Sequence, residues 1–286
     1  MYPPKFDYYR AGSVEEAISL LQEHAGARLL AGGHSLLPVM KLRLADPGTL
    51  IDIGRIEGLE GIGPRRDGSF KIGALTTHAT VAASDMLPAV LTEAAGWIGD
   101  PQVRNRGTVG GNVAHADPAS DLPTVFTALD ATFDMTGPDG SRQVSAGDFF
   151  VDLFQTDLGD DEVLTGIQIG PQEGRTGSAY AKLFHPASRY AMVGVAAVVT
   201  MNNGNSESVR VAIGGLTPTA RRLPSVEAAL NGRAPNEATI RNAARAVDDD
   251  LGGDLLGDLH ASADYRRSVA PAFVSRALLK AVERAG

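Results

Sequence analysis

The sequence predicts an α+β protein in two parts. A two-lobed region covers residues 1–175, with lobes at 1–55 and 56–175, and a second unit covers 176–286. Three observations predict this. Helical and strand-like periodicities alternate through the first half, beginning with a β-α-β unit. A polar stretch with Gly and Pro interrupts the chain at 171–177. Beyond it come three strand-like runs and then three helical ones, the order of an antiparallel sheet followed by a helical bundle.

The elements follow from local chemistry. Ser13 with Glu16 three residues on is a capping box, and Val14, Ala17, Ile18 and Leu21 fall on one helical face. Residues 28–31 form a strand that runs into Gly32-Gly33, and 49–53 form another after the break at Pro47-Gly48. Residues 59–74 alternate around Asp67-Gly68, a hairpin signal. Thr77 caps a helix over 78–84, and a second helix rich in small residues spans 89–97. A helix covers 121–129, with Asp117 as its cap and Pro118 near its first position. Runs 131–136 and 142–145 pair across Pro138-Asp139-Gly140, a short element follows at 149–151, and 162–169 is a strand. The later strands are 178–184, 194–201 and 208–214, the last two joined by Asn202-Asn203-Gly204-Asn205. Helices at 226–230, 237–248 and 263–284 complete the chain, with an acidic loop around 248–258.

Composition narrows the function. The net charge of −8 and the lack of any long basic block argue against nucleic-acid binding. No apolar run approaches the ~18 residues a membrane span needs, and the N-terminus has no signal-peptide pattern, so a cytoplasmic protein is expected. There is no cysteine, which excludes disulfides and any cysteine-ligated iron–sulfur cluster held by this chain.

The stretch Arg104 to Asp121, RNRGTVGGNVAHADPASD, concentrates small and polar residues. Gly107, Gly110 and Gly111 permit positive φ or close approach to bare backbone, and Gly110-Gly111 is expected to form a nest of N–H groups for phosphate oxygens. Thr108 and Asn112 add polar side chains. From the glycines alone, a tight turn between a helix and a strand fits equally well. A second small-residue loop, Ala31-Gly32-Gly33-His34-Ser35, follows a short apolar strand. Two such loops suit one ligand with two phosphates. Neither is the G-x-G-x-x-G fingerprint or a P-loop, so a dinucleotide site of another kind is expected. His115 with Asp117 makes a poor metal pair, and no G-x-S-x-G elbow is present.

Ala31-Gly32-Gly33-His34-Ser35 together with Thr108-Val109-Gly110-Gly111-Asn112 resembles the two flavin loops in the FAD-binding medium subunit of the molybdenum hydroxylases, the aerobic carbon monoxide dehydrogenase and xanthine dehydrogenase relatives. The likeness extends from Pro4-Lys5-Phe6-Asp7-Tyr8 to the C-terminal region. The run AGGHSLLPVMKLRL looks most like the carbon monoxide dehydrogenase branch. The resemblance implies a PCMH-type FAD-binding fold with FAD between the two glycine loops. It assigns Ala31, Gly32, Gly33, His34 and Ser35 to the FAD phosphates, and Thr108, Gly110, Gly111 and Asn112 to the flavin, ribityl and phosphate portions. His34 by itself reads equally as a surface residue or backbone capper. Asp121 and Lys182 match positions that contact FAD in xanthine dehydrogenase relatives, with Lys182 expected near the N1/O2 edge, and Leu164 corresponds to a residue packing near the cofactor. As bare residues they also read as a helix-surface carboxylate, a core leucine and a solvated lysine. Tyr190 resembles the aromatic that lies against the isoalloxazine.

The resemblance further implies partners. A large molybdopterin subunit would oxidise the substrate, a small subunit would hold two [2Fe–2S] clusters, and the FAD here would pass electrons to an acceptor such as a quinone, in an (αβγ)2 assembly. A stand-alone FAD oxidase or reductase and a scaffold that has lost FAD are the other readings. They would be marked by an extra substrate domain or by damaged glycine loops.

Overall fold

The structure is a computed structural model that describes residues 2–172 and 174–286. The chain begins β1 (Asp7–Arg10), α1 (Val14–Glu23), β2 (Arg28–Leu30), α2 (Leu36–Lys41), β3 (Thr49–Asp52). The strands form a parallel sheet in the order β1-β3-β2. Sequence reasoning missed β1 because all four of its residues are exposed, so no alternation marks it and only pairing with β3 makes it a strand. α1 buries Ala17, Ile18 and Leu21 against Ile51, Ile53 and Leu59. Ser13 Oγ accepts the Glu16 N–H at 3.1 Å, while the Glu16 carboxylate accepts from Gly12 at 2.7 Å, so the box closes one residue early. Replacing Ser13 with alanine is expected to cost about 1 kcal/mol, read in thermal unfolding as a drop of roughly 2–4 °C.

Next come β4 (Ile62–Pro64), β5 (Phe70–Gly73), α3 (His78–Ala82), α4 (Ala89–Trp97), α5 (Pro101–Arg104), α6 (Val109–His115) and α7 (Asp121–Ala128). They are followed by β6 (Thr132–Gly137), β7 (Gly140–Ser145), α8 (Ala146–Phe149), β8 (Phe150–Asp152), β9 (Gln155–Thr156) and β10 (Val163–Ile169). Both expected hairpins form, and five strands make an antiparallel sheet in the order β4-β5-β10-β6-β7. Thr77 caps α3 by accepting the Thr80 N–H at 3.2 Å. At α7 the expected cap shifts: Ser120 is the N-cap, and Asp117 instead accepts from Ala119 in a turn before it. Every residue of α7 is buried.

The C-terminal elements are β11 (Arg175–Phe184), β12 (Ala191–Asn202), β13 (Asn205–Gly214), β14 (Arg221–Arg222), α9 (Pro224–Leu230), α10 (Glu237–Ala244), α11 (Val247–Asp250) and α12 (Ala263–Ala285). The antiparallel sheet has four strands, not three, in the order β11-β12-β13-β14. β14 is two arginines long and carries no apolar signal; Asp130, Glu227 and Asp254 hold its side chains. The expected helix over 237–248 breaks at Arg245–Ala246, and the aspartates expected in a loop at 248–250 lie in α11. Of the expected break at 171–177, Glu173 lies outside the described residues, and β11 already starts at Arg175.

The C-terminal sheet is buried on both faces. Ala179, Val193, Val195, Ala197 and Val199 pack with the helical side. Tyr180, Ala196, Val198 and Ala212 join the core of the first region through α7. Double burial explains why β12 reads as a continuous apolar run rather than an alternating one. α7 thus ties the two regions together and places its first residue, Asp121, at the floor of a cleft.

Candidate functional site

The cleft measures about 730 Å³ and is walled by the β2–α2 loop, α6, the start of α7, β10, the β8–β9 hairpin and residues 188–190. That lies within the range of small-molecule sites, roughly 300–1,000 Å³. Of the residues expected from sequence, Ala31, Gly32, Gly33, His34, Ser35, Thr108, Gly110, Gly111, Asn112, Asp121, Leu164 and Tyr190 line it; Lys182 does not.

The first glycine loop leaves β2 and turns through Gly33, whose φ is 73°. Gly32 is required by contact: a Cβ there would stand 2.2 Å from Arg106 O. The two glycine-containing segments therefore touch. Among the described residues the N–H groups of Gly32, Gly33, His34 and Ser35 have no hydrogen-bond acceptor, so four donors in succession border the cleft. The His34 ring folds back on its own loop, Nδ1 lying 3.0 Å from Gly32 O.

The second segment departs from expectation. Gly110 and Gly111 do not form an N–H nest; they lie inside α6, and none of Gly107, Gly110 or Gly111 has positive φ. Their donors are occupied. Val109 N–H bonds Thr76 O at 2.9 Å, Gly110 N–H bonds Ala74 O at 2.8 Å, and Gly111 N–H bonds the Thr108 hydroxyl at 3.1 Å. Gly110 is small because a Cβ would stand 2.6 Å from Ala74 Cβ, so packing rather than turn geometry selects it. What this segment offers a ligand is Asn112. Its Nδ2 donates to Ser120 Oγ at 3.2 Å, and its Oδ1 is buried with no partner.

Asp121 is 4% exposed and receives Lys182 Nζ and Tyr180 OH, each at 2.7 Å. Burial pushes the Asp121 carboxyl up and the Lys182 amine down, while their mutual attraction opposes both shifts. Lys182 is sealed behind Asp121, its ammonium 5.0 Å from the Phe184 ring centroid, so the carboxylate and not the amine borders the cleft. Leu164 serves both the cleft wall and the main core. Tyr190 stands at the mouth, 41% exposed, with its phenol pushed up by burial and by Asp117 and Asp121.

Sequence reasoning missed several wall residues. Ser120 adjoins Asp121 and could have been flagged as the partner of Asn112. Phe154 carries φ 55° at the tip of the β8–β9 hairpin and meets the His115 ring at 5.3 Å; nothing in sequence marks that two-stranded turn. His78 was passed over beside the capping Thr77. Among the described residues no group of three or more His, Cys, Asp or Glu side chains is arranged to hold a metal ion.

Residues 4–172 match the FAD binding domain in molybdopterin dehydrogenase, and residues 178–281 match the CO dehydrogenase flavoprotein C-terminal domain. The chain belongs to the FAD-binding medium subunits of the molybdenum hydroxylases. This medium subunit is 41% identical over 285 residues to the carbon monoxide dehydrogenase medium chain of Hydrogenophaga pseudoflava, covering 97% of each chain. It is 36% identical over 280 residues to the glyceraldehyde dehydrogenase medium chain of Sulfolobus acidocaldarius, covering 97% of this chain and 98% of that one. Its fold matches the structure of carbon monoxide dehydrogenase from H. pseudoflava lacking the Mo-pyranopterin moiety of the molybdenum cofactor, with a TM-score of 0.94, 41% identity and 99% of each chain covered. Quinoline 2-oxidoreductase from Pseudomonas putida 86 matches with a TM-score of 0.93 at 32% identity, over 100% of this chain and 99% of that one.

The medium subunit is thus an oxidoreductase subunit whose cofactor is FAD. The cleft fits that cofactor on its own chemistry. Four free N–H donors suit phosphate oxygens, and the orphaned Asn112 Oδ1 suits a hydroxyl or N–H donor. No helix among the described residues is long and apolar enough to cross a membrane.

Proposed function

We propose that this medium subunit is the electron-exit module of a carbon monoxide dehydrogenase-like complex. It takes electrons from [2Fe–2S] clusters on a small partner subunit and delivers them to an external acceptor such as a quinone. A large molybdopterin subunit oxidises the substrate, and the complex is an (αβγ)2 assembly in the cytoplasm. The observation that carries this reading is a flavin cleft with four free donors in a chain without a single cysteine. Such a chain cannot hold thiolate-ligated clusters itself, so any clusters that feed its flavin belong to another polypeptide. The relatives fit: a glyceraldehyde dehydrogenase and a carbon monoxide dehydrogenase both have medium chains similar to this one, which supports a substrate chosen on another subunit.

FAD supplies a carrier able to exchange electrons singly or in pairs. The residues hold and shape its surroundings. The N–H groups of Gly32 to Ser35 would hold the pyrophosphate, and Thr108, Gly110 and Gly111 would provide the wall beside it. Asn112 and Asp121 would accept from hydroxyl or ring N–H groups, Leu164 would pack against the cofactor, and Tyr190, at the mouth, would lie against the ring; all four line the cleft. Residues 1–175 form the FAD-binding unit and 176–286 the second unit, which closes the cleft through residues 188–190.

The test is a visible spectrum of the protein purified from its host with its partners, before and after dithionite. Flavin bands with an iron–sulfur shoulder, both bleached, and molybdenum by metal analysis are expected. A lone, metal-free yellow chain that turns over substrate would instead establish the stand-alone flavoenzyme.

A further inference from the structure

His78 opens α3 in the cleft wall, and the function proposed above makes no use of it. Its backbone is pinned, the N–H donating to Gly107 O at 3.0 Å. Its ring packs so closely on Gly107 that a Cβ there would stand 2.8 Å from Cδ2 and 3.0 Å from Nε2. Gly32 rests on the same glycine, its own would-be Cβ 2.9 Å from Gly107 Cα. The imidazole and the free N–H groups that begin at Gly32 therefore belong to one wall.

The ring is 3% exposed, yet neither nitrogen has a hydrogen-bond partner among the described residues. Nδ1 is sealed in the interior, which leaves Nε2 as the nitrogen able to serve the cleft that His78 lines. Burial, reinforced by His34 and the Arg104 guanidinium, lowers the imidazole to about 4, so it is neutral and carries one proton. A sealed N–H without an acceptor is the costlier arrangement, which places that proton on Nε2. The result is an uncharged donor beside Gly107, the glycine on which Gly32 also rests.

We propose that His78 is a further cofactor-holding residue, donating from Nε2 to a phosphate oxygen of the dinucleotide beside the N–H groups of Gly32 to Ser35. This rests on the reading of the cleft as the FAD site. His78 adds direction rather than charge, and it reads the phosphate part of the ligand and not the flavin ring.

The test uses the full chain, with any partners that co-purify, stripped of flavin and titrated with FAD, ADP and riboflavin. His78→Phe is expected to weaken FAD and ADP alike, by roughly tenfold or more, the value of one hydrogen bond to a charged acceptor. Riboflavin binding should stay unchanged. His78→Gln, whose amide presents a donor at similar reach, should recover most of the loss, with melting of the flavin-free protein as the control for folding. Unchanged ADP and FAD binding in a folded His78→Phe overturns the proposal, as does a loss confined to riboflavin. If the variants do not fold, ¹⁵N spectra of the wild-type imidazole decide: ADP must move the Nε2–H signal, and no movement overturns the assignment. A wild-type chain that takes up neither FAD nor ADP removes the cofactor reading of the cleft and this proposal with it. Loss in His78→Phe alone bears on His78.

Discussion

Gly32→Ala should yield a protein with almost no bound flavin. The added methyl would stand 2.2 Å from Arg106 O and 2.9 Å from both the Arg106 carbonyl carbon and Gly107 Cα. These are backbone atoms, so no side chain can swing away, and the two loops must part by an ångström or more to restore normal contact. Parting them moves the four free N–H donors and shifts the His78 wall as well. Flavin content, read as visible absorbance against protein absorbance, should fall at least about tenfold, the loss of one charge-assisted hydrogen bond or more. Gly33→Ala makes the contrast. Its Cβ would meet the flexible Leu37 side chain at 3.0 Å, and its φ of 73° costs a non-glycine residue about 1–2 kcal/mol. It should keep more flavin than Gly32→Ala; full flavin content in Gly32→Ala would show that the loops do not need their present contact.

Lys182→Met should be the most destabilising single change near the cleft. It leaves the Asp121 carboxylate buried with only Tyr180 OH as a partner. Removing one member of a buried pair costs about 3–5 kcal/mol, because the remaining charge is uncompensated. The variant also carries a signature in pH. Burial already raises the Asp121 carboxyl, and without the lysine it rises further. Its folded value then lies above the unfolded one, about 3.9. Between the two values the folded state binds more protons than the unfolded state, so stability falls as pH rises through the folded value and the penalty is complete above it. Urea unfolding of Lys182→Met against wild type should therefore show a deficit that shrinks on acidification. Asp121→Asn in the same background should recover part of it at neutral pH. A deficit independent of pH would mean that Lys182 stabilises by packing alone, as its approach to Phe184 also permits.

The amino-acid sequence determined most of the elements and the chemistry of the first loop. A capping box with apolar spacing located α1, and the Thr77 cap located α3, because those signals act within one or two turns of chain. Gly32-Gly33 after a short apolar strand marked a phosphate-type turn because a bare backbone there is visible in the residues themselves. The absence of cysteine likewise needed no coordinates. The tertiary structure decided what depends on partners far apart in the chain. β1 and β14 are strands only because a neighbour pairs with them. Gly110 and Gly111 are glycines because of contacts with Ala74 and Thr108, and their N–H groups donate to the Ala74 carbonyl and the Thr108 hydroxyl rather than being left for phosphate. Lys182 reads as a surface lysine or a flavin contact until the fold places Asp121, 61 positions away, over its ammonium. His78 shows the same limit: its Nδ1 is buried without a partner because Gly107 packs on a ring that, along the chain, is merely the residue after a helix cap.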